Sequence, residues 1–114
     1  INVSVLHIHT LKPLDEKKIY EMISNASVVI TIEEHRIAGG LGSAVSELIA
    51  ESNFPEPKKF FRIGFPDVFT FELGSQNEIM KKYGITAKSI VNKTKELLKI
   101  WSANEKYWFY FNAA

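Results

Sequence analysis

Apolar residues along this chain alternate between short β-rich runs and stripes at helical spacing. Val3-Ser4-Val5-Leu6-His7-Ile8 is brief and mostly apolar, the pattern of a strand buried on both faces. Lys12-Pro13-Leu14-Asp15 then turns the chain, because Pro13 steers Lys12 away from helix and Asp15 is placed to cap the next helix. Over Glu16 to Ser24, Ile19, Met22 and Ile23 fall on one helical face, with Lys17 and Glu21 paired at i,i+4 on the other. Val28-Val29-Ile30-Thr31-Ile32 is the clearest strand of the sequence.

A polar, glycine-bearing loop runs from Glu33 to Gly42, and a helix from about Ser43 buries Ala44, Val45, Leu48 and Ile49. Pro55 and Pro57 close that unit, and Phe60-Phe61-Arg62-Ile63 reads as a third strand. Ser75-x-x-Glu78 is a capping box opening a short helix that closes near Tyr83-Gly84. Thr86 caps a last helix whose Ile90, Val91, Thr94, Leu97, Leu98 and Trp101 form its stripe. The order β-α-β-α-β-α-α predicts an α/β fold with a largely parallel sheet and right-handed crossovers.

Composition narrows the function classes. The chain has 114 residues, enough for one domain with a real core, and its 14 Lys plus Arg nearly balance 13 Asp plus Glu. No basic field attracts nucleic acid or an anionic membrane, and no apolar run approaches the ~18 residues that span a bilayer. The absence of cysteine removes disulfides, thiolate metal sites and a cysteine nucleophile. It suits a reducing cytoplasm without requiring one.

Candidate chemistry concentrates after the clearest strand, since ligands of open parallel sheets sit beyond the carboxyl ends of their strands. Gly39, Gly40 and Gly42 precede a helix opening at Ser43, which lets N–H groups approach another backbone or an anion. The spacing matches neither a Walker loop, nor a dinucleotide fingerprint, nor a nucleophile elbow. Tight helix–sheet packing is the favoured reading, and a phosphate or nucleotide module using this loop is the alternative. Glu33, Glu34 and His35 are either solvated residues ending a strand or an acid–base set, with Glu34 and His35 as its working pair. His7 and His9 share a strand face, and were the first two strands adjacent they would approach His35 as a metal site. Satisfied or exposed histidines are the preferred reading. Asp67 sits in a turn punctuated by Gly64 and Pro66, and Tyr107 to Phe111 is a run of five aromatics that must pack on its own domain or on a partner.

Three segments, in order, resemble the transketolase C-terminal domain family. They are His9-Thr10-Leu11-Lys12-Pro13-Leu14-Asp15; Val29-Ile30-Thr31-Ile32-Glu33-Glu34-His35 running into Gly39-Gly40-Leu41-Gly42-Ser43-Ala44-Val45; and Arg62-Ile63-Gly64-Phe65-Pro66-Asp67-Val68-Phe69 with Lys82-Tyr83-Gly84-Ile85-Thr86 beyond. The resemblance implies a three-layer α/β/α domain with a mostly parallel sheet. It implies a parent enzyme whose other domains or subunit bind thiamine diphosphate and a divalent metal such as Mg at a dimer interface. That enzyme moves two-carbon ketol units between sugar phosphates in the cytoplasm. This domain itself is then non-catalytic, structural or regulatory, binds no cofactor and belongs to a homo-oligomer. Its ligand contacts, if it makes any, fall on Glu34, His35, Gly39, Gly40, Gly42 and Ser43.

Within the family the segments resemble the split transketolases first, then deoxyxylulose-phosphate synthase, then the beta subunits of 2-oxoacid dehydrogenases. The family's domain starts with one more strand and helix. The resemblance therefore implies a single domain over residues 1–114, cut short on its N-terminal side and leaving sheet edge or apolar face uncovered. The aromatic run after Trp101 has no counterpart in the resemblance.

Overall fold

The computed structural model describes residues 2–69, 71, 73–99 and 108–113, the last segment as backbone. The elements run β1 (Val3–Ile8), α1 (Glu16–Ser24), β2 (Val28–Arg36), α2 (Leu41–Glu51), β3 (Lys59–Phe65), α3 (Gln76–Lys82), α4 (Ala87–Lys99) and β4 (Trp108–Ala113). Local chemistry sets the helix starts. The Asp15 side chain accepts the Lys18 N–H at 3.0 Å, Ser75 and Glu78 close a reciprocal capping box, and Thr86 Oγ1 accepts the Ser89 N–H at 3.2 Å. On α1 the ion pair joins Lys18 to Glu21 at 3.8 Å instead of the Lys17–Glu21 pair expected from spacing.

The sheet is parallel throughout, in the order β1-β4-β2-β3. This corrects the reading of three strands. The aromatic run forms a fourth, which enters between the first two and pairs with both, Val3 and Val28 each standing opposite Trp108. Propensity explains the strand, because Trp, Phe and Tyr favour a pleated, buried surface. Periodicity could not find it, since an unbroken aromatic run carries no alternation. Trp101 and Tyr107 lie outside the described residues.

Strand parity distributes the core. Val29, Thr31 and Glu33 face α1 and α2, while Val28, Ile30 and Ile32 face α3 and α4. Ile19 and Ile23 of α1 and Leu41 and Val45 of α2 pack with Ile8 and Val29 on the first face. On the second, Met80, Ile90, Leu97 and Leu98 pack with Val28, Ile30, Ile63 and Ile85. Of the last helix's expected stripe, Thr94 is buried but Val91 stays exposed. Nor is β1 buried on both faces, because Val3 and Val5 stand open while Leu6 and Ile8 reach the core.

The layers result from the order of strands. The chain steps across the sheet from β1 to β2 to β3 with α1 and α2 on one face. It returns from β3 to β4 with α3 and α4 on the other. Crossovers of one hand that reverse direction must change face, which makes three layers. The connections leaving β2 and β3 therefore depart to opposite faces, and the carboxyl ends of these two neighbours form the topological switch point where such sheets bind ligands.

Candidate functional site: the carboxyl ends of β2 and β3

At this switch point β2 carries extra residues. Ile32 stands opposite Ile63, but Arg36 is the next residue in register, opposite Phe65, so Glu33, Glu34 and His35 bulge against Gly64. A Cβ at Gly64 would lie 2.8 Å from the His35 carbonyl oxygen and 2.9 Å from the Ile37 side chain. Only a glycine admits the bulge so closely. Past it, the Ile37 N–H donates to the Phe65 carbonyl at 2.9 Å and restores the ladder.

The first residue of the bulge faces α2. Glu33 is 1% exposed, and its two oxygens accept the first N–H groups of the helix, Leu41 at 2.8 Å and Gly42 at 3.1 Å. The N-cap, Gly40, has no side chain to offer, so a residue of the neighbouring strand supplies the cap. The anion that a helix N-terminus attracts is thus part of the protein. Close approach also explains the glycines. A Cβ at Gly40 would meet Glu33 Oε2 at 2.0 Å, and one at Gly42 would meet the Arg62 stem at 2.6 Å. Gly39 has room around it but a φ of 75°.

Ser43 completes the knot. Its hydroxyl accepts the Gly39 N–H at 2.9 Å and donates to the Ile37 carbonyl at 3.1 Å. Arg62 Nη1 also donates to that carbonyl, at 2.9 Å. The loop is therefore four residues, Ile37 to Gly40, and not the ten from Glu33 to Gly42 that the sequence suggested, with α2 starting at Leu41. Thr31 Oγ1, fully buried against Gly42, has no hydrogen-bond partner among the described residues.

The polar residues on the outer side are engaged separately. Glu34 accepts a hydrogen bond from the Gln76 side-chain amide of α3, and the His35 ring lies with Nδ1 2.9 Å from the Arg36 carbonyl. A carbonyl only accepts, so that nitrogen carries the proton. Glu34 and His35 are thus held by different partners and not by each other. Arg36 reaches Asp67 at 3.2 Å and lies over the Phe69 ring. These contacts tie the β2 bulge to the connection after β3. His7 and His9 do share a face, their rings 4.7 Å apart edge to face. Because β4 intervenes, β1 and β2 are not neighbours, and the condition for a metal site with His35 is not met.

Thiamine diphosphate needs an anion cradle and acidic ligands for its metal. The described residues fit neither, because Glu33 fills the helix N-terminus and no three His, Asp or Glu side chains converge. Strand parity was the signal available for Glu33 and Arg62: each lies two positions from a core-facing neighbour on the α2 face, which turns it toward the helix start.

The transketolase C-terminal domain family matches residues 1–90. Among curated proteins the chain is 40% identical over 92 residues to a 1-deoxy-D-xylulose-5-phosphate synthase of Caldanaerobacter subterraneus, covering 81% of this chain and 14% of that protein. It is 38% identical over 99 residues to a transketolase C-terminal section of Methanocaldococcus jannaschii, covering 87% of the chain and 29% of the relative. A 6-deoxy-6-sulfo-D-fructose transketolase subunit of Clostridium sp. is 38% identical over 97 residues, covering 85% and 29%. The chain thus spans less than a third of these relatives. No solved structure matches it. With the matched segment covering β1 to the start of α4, this chain belongs to the transketolase C-terminal domain family.

Proposed function

We propose that this chain serves as the structural domain of a transketolase-type enzyme that transfers two-carbon ketol units between sugar phosphates. Thiamine diphosphate and its divalent metal bind elsewhere in that enzyme, which works in the cytoplasm as a homo-oligomer. The observation that carries this reading is the filled switch point. Glu33 occupies the N-terminus of α2, and Glu34, His35, Arg36 and Ser43 are engaged within the domain. A phosphate- or nucleotide-binding module using Gly39 to Gly42 would have to displace a buried carboxylate from two hydrogen bonds. The domain's contribution is then to hold a rigid surface against the cofactor-binding parts.

The test is a calorimetric titration of the chain with thiamine diphosphate and magnesium, beside the same titration of the complete enzyme. Saturable heat is expected only from the complete enzyme, and micromolar binding by the chain would overturn the reading. A second reading, the corresponding domain of a deoxyxylulose-phosphate synthase, is favoured by the 40% identity to one such enzyme. Assaying the complete enzyme for deoxyxylulose phosphate against ketol transfer from a ketose phosphate separates the two.

A further inference from the structure

The connection after β3 exposes apolar side chains out of proportion to the other described residues. Val68 is 47% exposed, Phe69 79%, Phe71 91% and Leu73 102%. Four such residues within six positions present on the order of 500 Å² of apolar surface, as large as the largest patch on a typical free-standing protein. Among the described residues, none of the four belongs to either cluster of the core.

Both ends of the segment are fixed. At its start Asp67 binds Arg36 at 3.2 Å, and the Arg36 guanidinium lies 5.5 Å from the Phe69 ring centre. At its end Ser75 and Glu78 close the capping box of α3, and Gln76 holds Glu34 of β2. Aromatic and aliphatic side chains offered beside a root held in this way resemble the anchors that dominate protein interfaces.

We infer that Val68, Phe69, Phe71 and Leu73 form the arm by which this domain docks on the thiamine-binding part of its own enzyme. The inference rests on the proposed function and adds the surface through which it operates. Length identifies the occupant: the chain spans 14% to 29% of the relatives compared, so most of such an enzyme lies outside this domain and is available to cover the arm. The arm also leaves from the switch point, where Glu33, Glu34, Arg36 and Ser43 are already engaged within the domain. The complementary surface is an apolar groove, since none of these four side chains carries a charge.

Replacing Phe71 by the photoreactive p-benzoylphenylalanine in the complete enzyme, then irradiating and mapping the adduct by mass spectrometry, tests this directly. The expected adduct joins position 71 to the thiamine-binding part. An adduct to a second copy of this domain, or none at all, overturns the inference. In parallel, the double variant F71S/L73S is expected to lower ketol transfer at least tenfold while the domain's melting temperature stays unchanged, because these two side chains are 91% and 102% exposed. Full activity in that variant would also overturn it. Thiamine-dependent transfer in the parent enzyme keeps the two questions apart: without it the proposed function fails and takes the arm with it. Transfer without the expected adduct sinks the arm alone.

Discussion

Glu33 caps the helix that Leu41 begins, its Oε2 accepting the Leu41 N–H at 2.8 Å across the gap between β2 and α2. Its other oxygen takes the Gly42 N–H, and the whole side chain is out of water. A buried carboxylate held by two N–H donors is costly to remove, because each orphaned donor forfeits about 1–3 kcal/mol. Glu33→Ala should therefore destabilise the domain by about 3 kcal/mol in urea unfolding, with the slope unchanged. Glu33→Gln, which keeps one acceptor, should lose clearly less. Phosphate should leave the wild-type melting temperature where it is. A phosphate-dependent rise would show that the helix N-terminus accepts an outside anion.

The glycines around this contact make a graded test. A Cβ at Gly42 would press on the Arg62 stem and Thr31, and one at Gly64 on the His35 carbonyl, all within 2.9 Å. Gly42→Val and Gly64→Ala should each cost more than about 1 kcal/mol, the range of overpacked sites. At Gly74 the nearest atom would be 3.4 Å away, so Gly74→Ala should fall within about 0.5 kcal/mol of wild type. Equal effects at all three positions would mean that close packing does not explain the glycines.

Acid should open the cap at the start of α3. The Ser75 hydroxyl, and after it the Ser75 N–H, hold the exposed Glu78 carboxyl below its ordinary value of 4.5. A carboxylate whose pKa falls on folding adds stability above its unfolded pKa and loses it as pH falls through the lower folded value. The capping box should therefore persist at pH values above the ordinary carboxylate range and open as the pH drops below it. Amide chemical shifts of Ser75 and Glu78 report it, and Ser75→Ala should bring the Glu78 titration back toward the ordinary value. A Glu78 that titrates identically with and without Ser75 would remove the basis for the effect.

Much of the framework was legible in the sequence because the deciding forces are local. Asp15, Ser75 and Thr86 announce their helices by side chains that cap within three residues, and the Val28–Ile32 run is apolar on both faces because both are covered. The strand order was not legible. It depends on which strand β2 finds on each edge, a long-range choice that leaves no mark in the Val28 run. The polar knot was half visible. Three glycines pointed to a close approach, but what approaches is Glu33 from the strand before, and the bulge that aims it appears only once Phe65 is seen opposite Arg36. The alternative that pairs Glu34 with His35 as an acid–base set assumed that sequence neighbours meet, whereas one is taken by Gln76 and the other by its own backbone neighbour.

The aromatic strand gives the sharpest test of the topology. β1 forms its ladder with β4 over six positions, from Val3 opposite Trp108 to Ile8 opposite Ala113, and β2 pairs with β4 along its other edge. Removing residues 105–114 would strip β1 of that ladder and leave β2 with an open edge in the middle of the sheet. Buried backbone groups without partners and an uncovered strand edge both favour association with another chain. The deletion should therefore abolish cooperative unfolding and raise the sedimenting mass. A milder change separates pairing from side-chain burial. Tyr110→Pro removes one ladder N–H from a central strand, where proline is excluded, and should cost about 3 kcal/mol or more. Tyr110→Phe keeps the backbone and should cost less than half as much. If the deleted chain stays monomeric with unchanged stability, β4 is not part of the sheet, and β1 and β2 are free to meet.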